Sequence, residues 1–142
     1  MAHRILFADD DEDDRFLMSE AFKQLGFMDE IYLAESGLKL LGYLDSIINN
    51  EQLPVVIVLD LNMPFLNGIE TLARLKSNKR CRNIPVVIHS NSINELAKAK
   101  CLELGAADFL VKSKNFEQFL FTAKFLHEYV SALIKTQILT SR

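Results

Sequence analysis

Short apolar runs alternate with longer amphipathic stretches along this chain. The runs near Arg4–Ala8, Glu30–Ala34, Val55–Leu59, Val86–His89 and Asp108–Val111 predict five strands. Val55-Val56-Ile57-Val58-Leu59 is unbroken and mostly β-branched, as expected of a strand buried on both faces of a parallel sheet. Helical periodicity predicts helices near Glu12–Leu25, Ser36–Ile48, Gly68–Ser77, Ile93–Leu104 and Asn115–Lys135. Leu17, Ala21 and Leu25 mark the apolar stripe of the first helix, and Phe119, Ala123, Leu126 and Val130 that of the last. Strand and helix in alternation favour an α/β fold with a parallel sheet and right-handed crossovers. The expectation is one doubly wound domain over residues 1–142, with helices on both faces of a five-stranded sheet.

The chemistry gathers where strands end. Asp60 closes the Val55–Leu59 run and is followed by Leu61-Asn62-Met63-Pro64, with Asn67-Gly68 beyond. Pro and Asn-Gly break the chain into a loop. Asp60 is thereby set at the carboxyl end of a central strand, where open α/β sheets hold their ligands. Asp9 and Asp10 end the first strand, Ser90 follows Val86-Val87-Ile88-His89, and Lys112 follows Asp108-Phe109-Leu110-Val111. Gly105 supplies a helix stop before that last strand.

Asp9 to Asp14 is an unbroken acidic run. Asp11 to Asp14 suit the first turn of a helix, where acids meet the positive end of the macrodipole. Asp9 and Asp10 belong to the strand end and lack that explanation. An EF-hand loop starting at Asp9 fails, because Asp14 stands where the sharp turn needs Gly and no helix precedes it. Three carboxylates at one sheet edge repel by on the order of 4 kcal/mol per pair at 4 Å and an effective dielectric near 20. Such a cluster calls for a cation or a raised pKa. Oxygen-only donors with room for water suit Mg²⁺. Lys112 adds a compact positive charge for a phosphoryl oxygen, Ser90 a hydroxyl donor, and Asp60 a carboxylate able to form an aspartyl phosphate.

With these residues in this order and spacing, the chain resembles the receiver domain of two-component response regulators. The resemblance runs from Arg4 to about the middle of the last helix. It rests on Ala8-Asp9-Asp10, Leu59-Asp60-Leu61-Asn62-Met63-Pro64 with Asn67-Gly68, Pro85-Val86-Val87-Ile88-His89-Ser90, and Val111-Lys112. Among such domains it looks most like the stand-alone, chemotaxis-regulator-like proteins that accompany phytochrome kinases. The resemblance implies a flavodoxin-like sheet ordered 2-1-3-4-5. It implies a phosphoacceptor at Asp60, charged from a phosphohistidine on a sensor histidine kinase or phosphotransfer protein. Asp10 and Asp60 would ligate Mg²⁺ directly, Asp9 through water and Asn62 through its backbone carbonyl. Ser90 and Lys112 would bind the phosphoryl oxygens, and Phe109 would be the aromatic switch. No output domain is expected, so the signal would leave by protein–protein contact. The protein would be a phosphoacceptor rather than an enzyme, beyond its own phosphoryl transfer and autodephosphorylation.

Three positions depart from the family pattern. Asn91 stands where Ala or Gly is usual, His89 replaces an apolar residue, and Ser113 follows Lys112 in place of Pro. His89 reads as a core or edge histidine. Asn91 and Ser113 motivate the alternative, a receiver-fold interaction module that signals without phosphorylation.

Other classes lose their support. A dehalogenase-type phosphatase wants a second Asp where Asn62 stands. No Gly-rich phosphate loop ends in Lys-Ser/Thr. An electron carrier holding a flavin phosphate after the first strand would meet Asp9 and Asp10. A net charge of −3 and pI near 5.6 leave no basic footprint for nucleic acid. No apolar run approaches membrane length. Cys81 and Cys101 read as reduced thiols of a cytoplasmic protein. On the last helix, Phe121, Phe125 and Tyr129 recur beside the core stripe. They either widen it or form an exposed patch for a homodimer or a downstream partner.

Overall fold

The computed structural model describes residues 3–91, 94–113 and 115–140. Strands β1 (Ile5–Ala8), β2 (Ile31–Ala34), β3 (Val56–Leu59), β4 (Val86–Ser90) and β5 (Asp108–Val111) form one parallel sheet. Its order is β2-β1-β3-β4-β5, as expected. Helices α1 (Glu12–Leu25), α2 (Gly37–Ser46), α3 (Gly68–Ser77), α4 (Glu95–Leu104) and α5 (Phe116–Thr140) connect and close it. Because both faces are covered, β1, β3 and β4 are buried throughout.

Alternate residues of each strand feed opposite layers. Leu6, Ile57, Leu59, Val86 and Ile88 pack with Leu40, Leu44, Leu72 and Leu75 of α2 and α3. Ile5, Phe7, Val56, Val58 and Val87 pack with Met18 and Phe22 of α1 and with α5. The expected α5 stripe, Phe119, Ala123, Leu126 and Val130, is fully buried there. Each of its large side chains contributes roughly 1.5–3 kcal/mol by leaving water.

The helix ends follow local chemistry. Asp11 caps α1 by accepting from the Asp13 and Asp14 amides, and Gly26 ends the helix with a left-handed φ of 83°. Ser36 and Ile47, expected inside α2, flank it instead, with Ser36 as the N-cap. Asn67 and Glu70 form a capping box at α3. Asn94 caps α4, and the expected start at Ile93 lies outside the described residues. α5 runs past Lys135 to Thr140 because neither Gly nor Pro interrupts it. Its 25 residues span about 37 Å, about twice a typical strand.

Strand register positions the chemistry. Ala8 pairs with Leu59, and the Asp60 amide donates to the Ala8 carbonyl at 3.0 Å. The Asp9 amide donates to Ala34 on the other side. Asp9 and Asp60 thus leave adjacent central strands side by side. The strand order reverses at this point, the crevice where open α/β sheets bind ligands.

Candidate functional site

Asp9, Asp10 and Asp60 each place a carboxylate oxygen within 4.8 Å of the others. Asp9 and Asp60 are buried and Asp10 is exposed. Lys112, carried by the end of β5, reaches across to them: its Nζ lies 2.9 Å from Asp9 Oδ2 and 3.0 Å from Asp60 Oδ2. The Lys112 amide donates to the Ser90 carbonyl at 2.8 Å, tying the ends of β4 and β5 together. Ser90 is itself buried. The Asn62 amide donates to Asp60 Oδ1 at 3.3 Å, so both Asp60 oxygens are oriented.

The sequence reading set Asp14 in the first turn of the first helix, where it stands, and the structure adds a second role. Asp14 is 2% exposed and accepts from Lys112 Nζ at 2.8 Å. The available signal was helical phase, for Asp14 precedes the buried Met18 and Ala21 by four and seven residues and shares their face. The buried stripe also includes Phe22, whereas Leu17 and Leu25 are only half-buried. Arg15, likewise not singled out, donates to the Asp9 carbonyl at 2.8 Å.

One buried ammonium therefore faces three carboxylates. Burial alone would lower the Lys112 pKa, but its close contacts with the carboxylates of Asp14, Asp9 and Asp60 outweigh it and hold the ammonium above its usual range. Asp9 is pushed up from 3.8 to about 6, chiefly by burial, with the Asp60 charge adding to the rise against Lys112 and the Asp11 amide. The two shifts differ in origin: burial raises Asp9, and the surrounding carboxylates raise Lys112. Asp9 Oδ2 lies close to Lys112, yet no donor among the described residues is aligned with it as a hydrogen bond.

These donors fit a hard divalent cation. They are all oxygens, come from two strand ends, carry excess negative charge, and include a buried oxygen with no hydrogen bond. Asp10 and Asn62 line an adjoining cleft of about 510 Å³, which gives such an ion access and room for water.

Other expected residues stand apart from the carboxylates. Phe109 is half-buried on β5, with Lys98 Nζ 5.4 Å from its ring centre. His89 is buried between Phe7 and Phe119, its pKa pushed down to about 4 by burial, and its Nδ1 has no hydrogen-bond partner among the described residues. It is thus a neutral core histidine. Asn91 is exposed, and Ser113 Oγ accepts from the Asn115 amide at 3.3 Å. Both cysteines are free and buried. On α5, Phe121 is 69% exposed, whereas Phe125 and Tyr129 pack partly against the core, so the expected aromatic patch is divided. Among the described residues no helix is long and apolar enough to cross a membrane.

Comparison with known proteins agrees with this geometry. The response regulator receiver domain model matches residues 5–124. The chain belongs to the response regulator receiver domain family. Response regulator Rcp1 of Synechocystis sp. is 33% identical over 115 residues, covering 80% of this chain and 78% of that protein. The crystal structure of the phosphorylated cyanobacterial phytochrome response regulator RcpA superposes with a TM-score of 0.76 at 32% identity, covering 90% of this chain and 94% of that one. The Mn²⁺-bound form of response regulator Rcp1 gives 0.73 at 29%, covering 88% and 91%. The receiver-like plant proteins that also match are far longer. The chain spans 14% of the two-component response regulator-like protein PRR37 of Oryza sativa subsp. indica, at 33% identity over 109 residues and 77% of this chain. Response regulator receiver domains are a family of signalling proteins rather than typical enzymes.

Proposed function

We propose that this receiver accepts a phosphoryl group on Asp60 from a phosphohistidine of a sensor histidine kinase or phosphotransfer protein in the cytoplasm. The observation that carries this reading is the buried Lys112 ammonium set among Asp9, Asp14 and Asp60, with Asp10 at the open rim. An Asp60 oxygen attacks phosphorus, the P–N bond breaks, and the electron pair leaves on the donor imidazole. A carboxylate nucleophile needs no general base. Asp10 and Asp60 would hold Mg²⁺, with Asp9 acting through water and Asn62 through its carbonyl. The bound ion would neutralise charge on the phosphoryl oxygens. The phosphorylated and Mn²⁺-bound forms of similar receivers support both parts of this reading.

Lys112 and the Ser90 hydroxyl take the phosphoryl oxygens, with Ser90 and its loop drawn inward. Phe109 then changes rotamer, a two-state element biased by local charge. The altered face, continuing onto α5, forms a homodimer or receives the downstream partner. Hydrolysis at the same site resets it.

Incubation with acetyl phosphate and Mg²⁺ tests this function. Intact mass should rise by one phosphoryl group in the wild type. It should not rise in Asp60→Asn or with excess chelator. Labelling that survives either change contradicts the reading, and an unlabelled wild type favours the phosphorylation-independent module.

A further inference from the structure

We propose that Phe65 is a docking contact for the protein phosphodonor, inserting into an apolar recess beside that donor's phosphohistidine. This inference rests on the function proposed for Asp60.

The loop from β3 to α3 is pinned at both ends beside Asp60. The Gly68 amide donates to the Leu61 carbonyl at 3.0 Å, and a Cβ at Gly68 would lie 2.4 Å from the Asp60 carbonyl oxygen. Near the loop tip the Leu66 amide donates to the Pro64 carbonyl at 2.7 Å, closing a three-residue turn around Phe65. The Phe65 φ is 65°, the one positive value at a non-glycine among the described residues. A three-residue turn with a positive central φ is the rare, strained form. Glycine would adopt it freely, whereas a bulky side chain is disfavoured there.

Burial does not offset the strain, because Phe65 is 93% exposed. A strained backbone that presents an aromatic ring to solvent points to recognition rather than to folding. Phe65, Pro64 and the half-exposed Leu38 line a cleft of about 450 Å³ that also reaches Asp10 and Arg15. The ring thus stands beside the acidic site with further apolar surface next to it.

Reach identifies the occupant. Phe65 precedes Gly68 by three positions, so their Cα atoms are within about 11 Å. A stable protein interface covers about 800 Å² per partner, a disc of about 16 Å radius. A protein donor centred on Asp60 therefore covers Phe65. Acetyl phosphate, a few atoms across, can reach Asp60 without touching the ring. Exposed aromatic anchors commonly dominate such interfaces.

The difference between the two donors supplies the test. Wild type, Phe65→Gly and Phe65→Leu would each be offered acetyl phosphate with Mg²⁺. In parallel they would be offered each autophosphorylated histidine kinase of the source cell. Phe65→Gly should fold at least as stably as wild type and take phosphoryl groups from acetyl phosphate within about twofold of its rate. Transfer from the kinase that labels wild type fastest should fall by on the order of tenfold or more, as on loss of an aromatic anchor, mainly through KM. Phe65→Leu should recover most of that loss. Undiminished kinase transfer to Phe65→Gly overturns the proposal, as does equal loss with both donors or a wild type that no kinase labels. A wild type that acetyl phosphate cannot label instead removes the function on which the inference rests.

Discussion

Lys112 and Asp14 are hydrogen-bonded at 2.8 Å across 98 residues of sequence, joining the end of β5 to the first turns of α1. Removing the ammonium would leave three carboxylates without their shared cation. Lys112→Ala is therefore expected to cost roughly 3–5 kcal/mol at pH 7, the range for breaking a buried ion pair. Asp14→Asn keeps an acceptor oxygen and relieves one negative charge, so it should change stability by less than about 1 kcal/mol. Urea denaturation of both variants measures the contrast. Equal losses would mean that Asp14 is required as a charge.

Asp9 supplies a pH dependence with a definite sign. Its folded pKa of about 6 lies above the ordinary 3.8, so the folded state binds the proton more tightly than the unfolded state. Stability therefore falls as pH rises from about 4 to about 6 and levels off above that, by at most roughly 3 kcal/mol from this group. Asp9→Asn should melt above wild type at pH 7 without metal, and the difference should vanish near pH 4. Thermal melts across that window decide it. An Asp9→Asn variant less stable at pH 7 would contradict the excess of negative charge.

Gly68 tests the coupling of fold to site. An added Cβ would meet the Asp60 carbonyl at 2.4 Å and Leu61 Cα at 2.7 Å, both backbone atoms. Gly68→Ala should cost roughly 1–3 kcal/mol, the usual range for overpacking. It should also slow Asp60 phosphorylation by acetyl phosphate, because Asp60 must shift with its backbone. A stable variant labelled at the wild-type rate would show that the loop yields without moving the site.

The α5 face predicts an effect on association. Phe121 is exposed, whereas Phe125 packs partly into the core, so Phe121→Glu alters the surface with little cost to folding. If this face self-associates, sedimentation should show wild type enriched in dimer with a phosphoryl mimic bound and Phe121→Glu monomeric. Two monomers under all conditions would leave the face to a downstream partner.

Much of this molecule was legible in its residues. The unbroken β-branched run ending at Asp60 established a central buried strand, and parallel register then required Asp9 and Asp60 to emerge together. Lys112 was legible as the polar end of the last strand. The burial of Asp14 was missed because an acid in a first helical turn has a sufficient local explanation, and only its phase against Met18 and Ala21 reveals burial. The division between buried Asp9 and exposed Asp10 depends on how the chain turns from β1 into α1, which composition does not encode. The strained turn at Phe65 was hidden because nothing in Pro64-Phe65-Leu66 requires a positive φ. The end of α5 was underestimated because its apolar stripe fades before its helix propensity does.

The central claim is that Asp60, and no other side chain, becomes the acyl phosphate. Borohydride reduces an acyl phosphate to the alcohol, converting aspartyl phosphate to homoserine. Protein treated with acetyl phosphate and Mg²⁺, reduced and mapped by peptide mass spectrometry, should carry homoserine at position 60 and nowhere else. Homoserine at position 9, 10 or 14, or a phosphate retained on Ser90 or His89, would contradict the account.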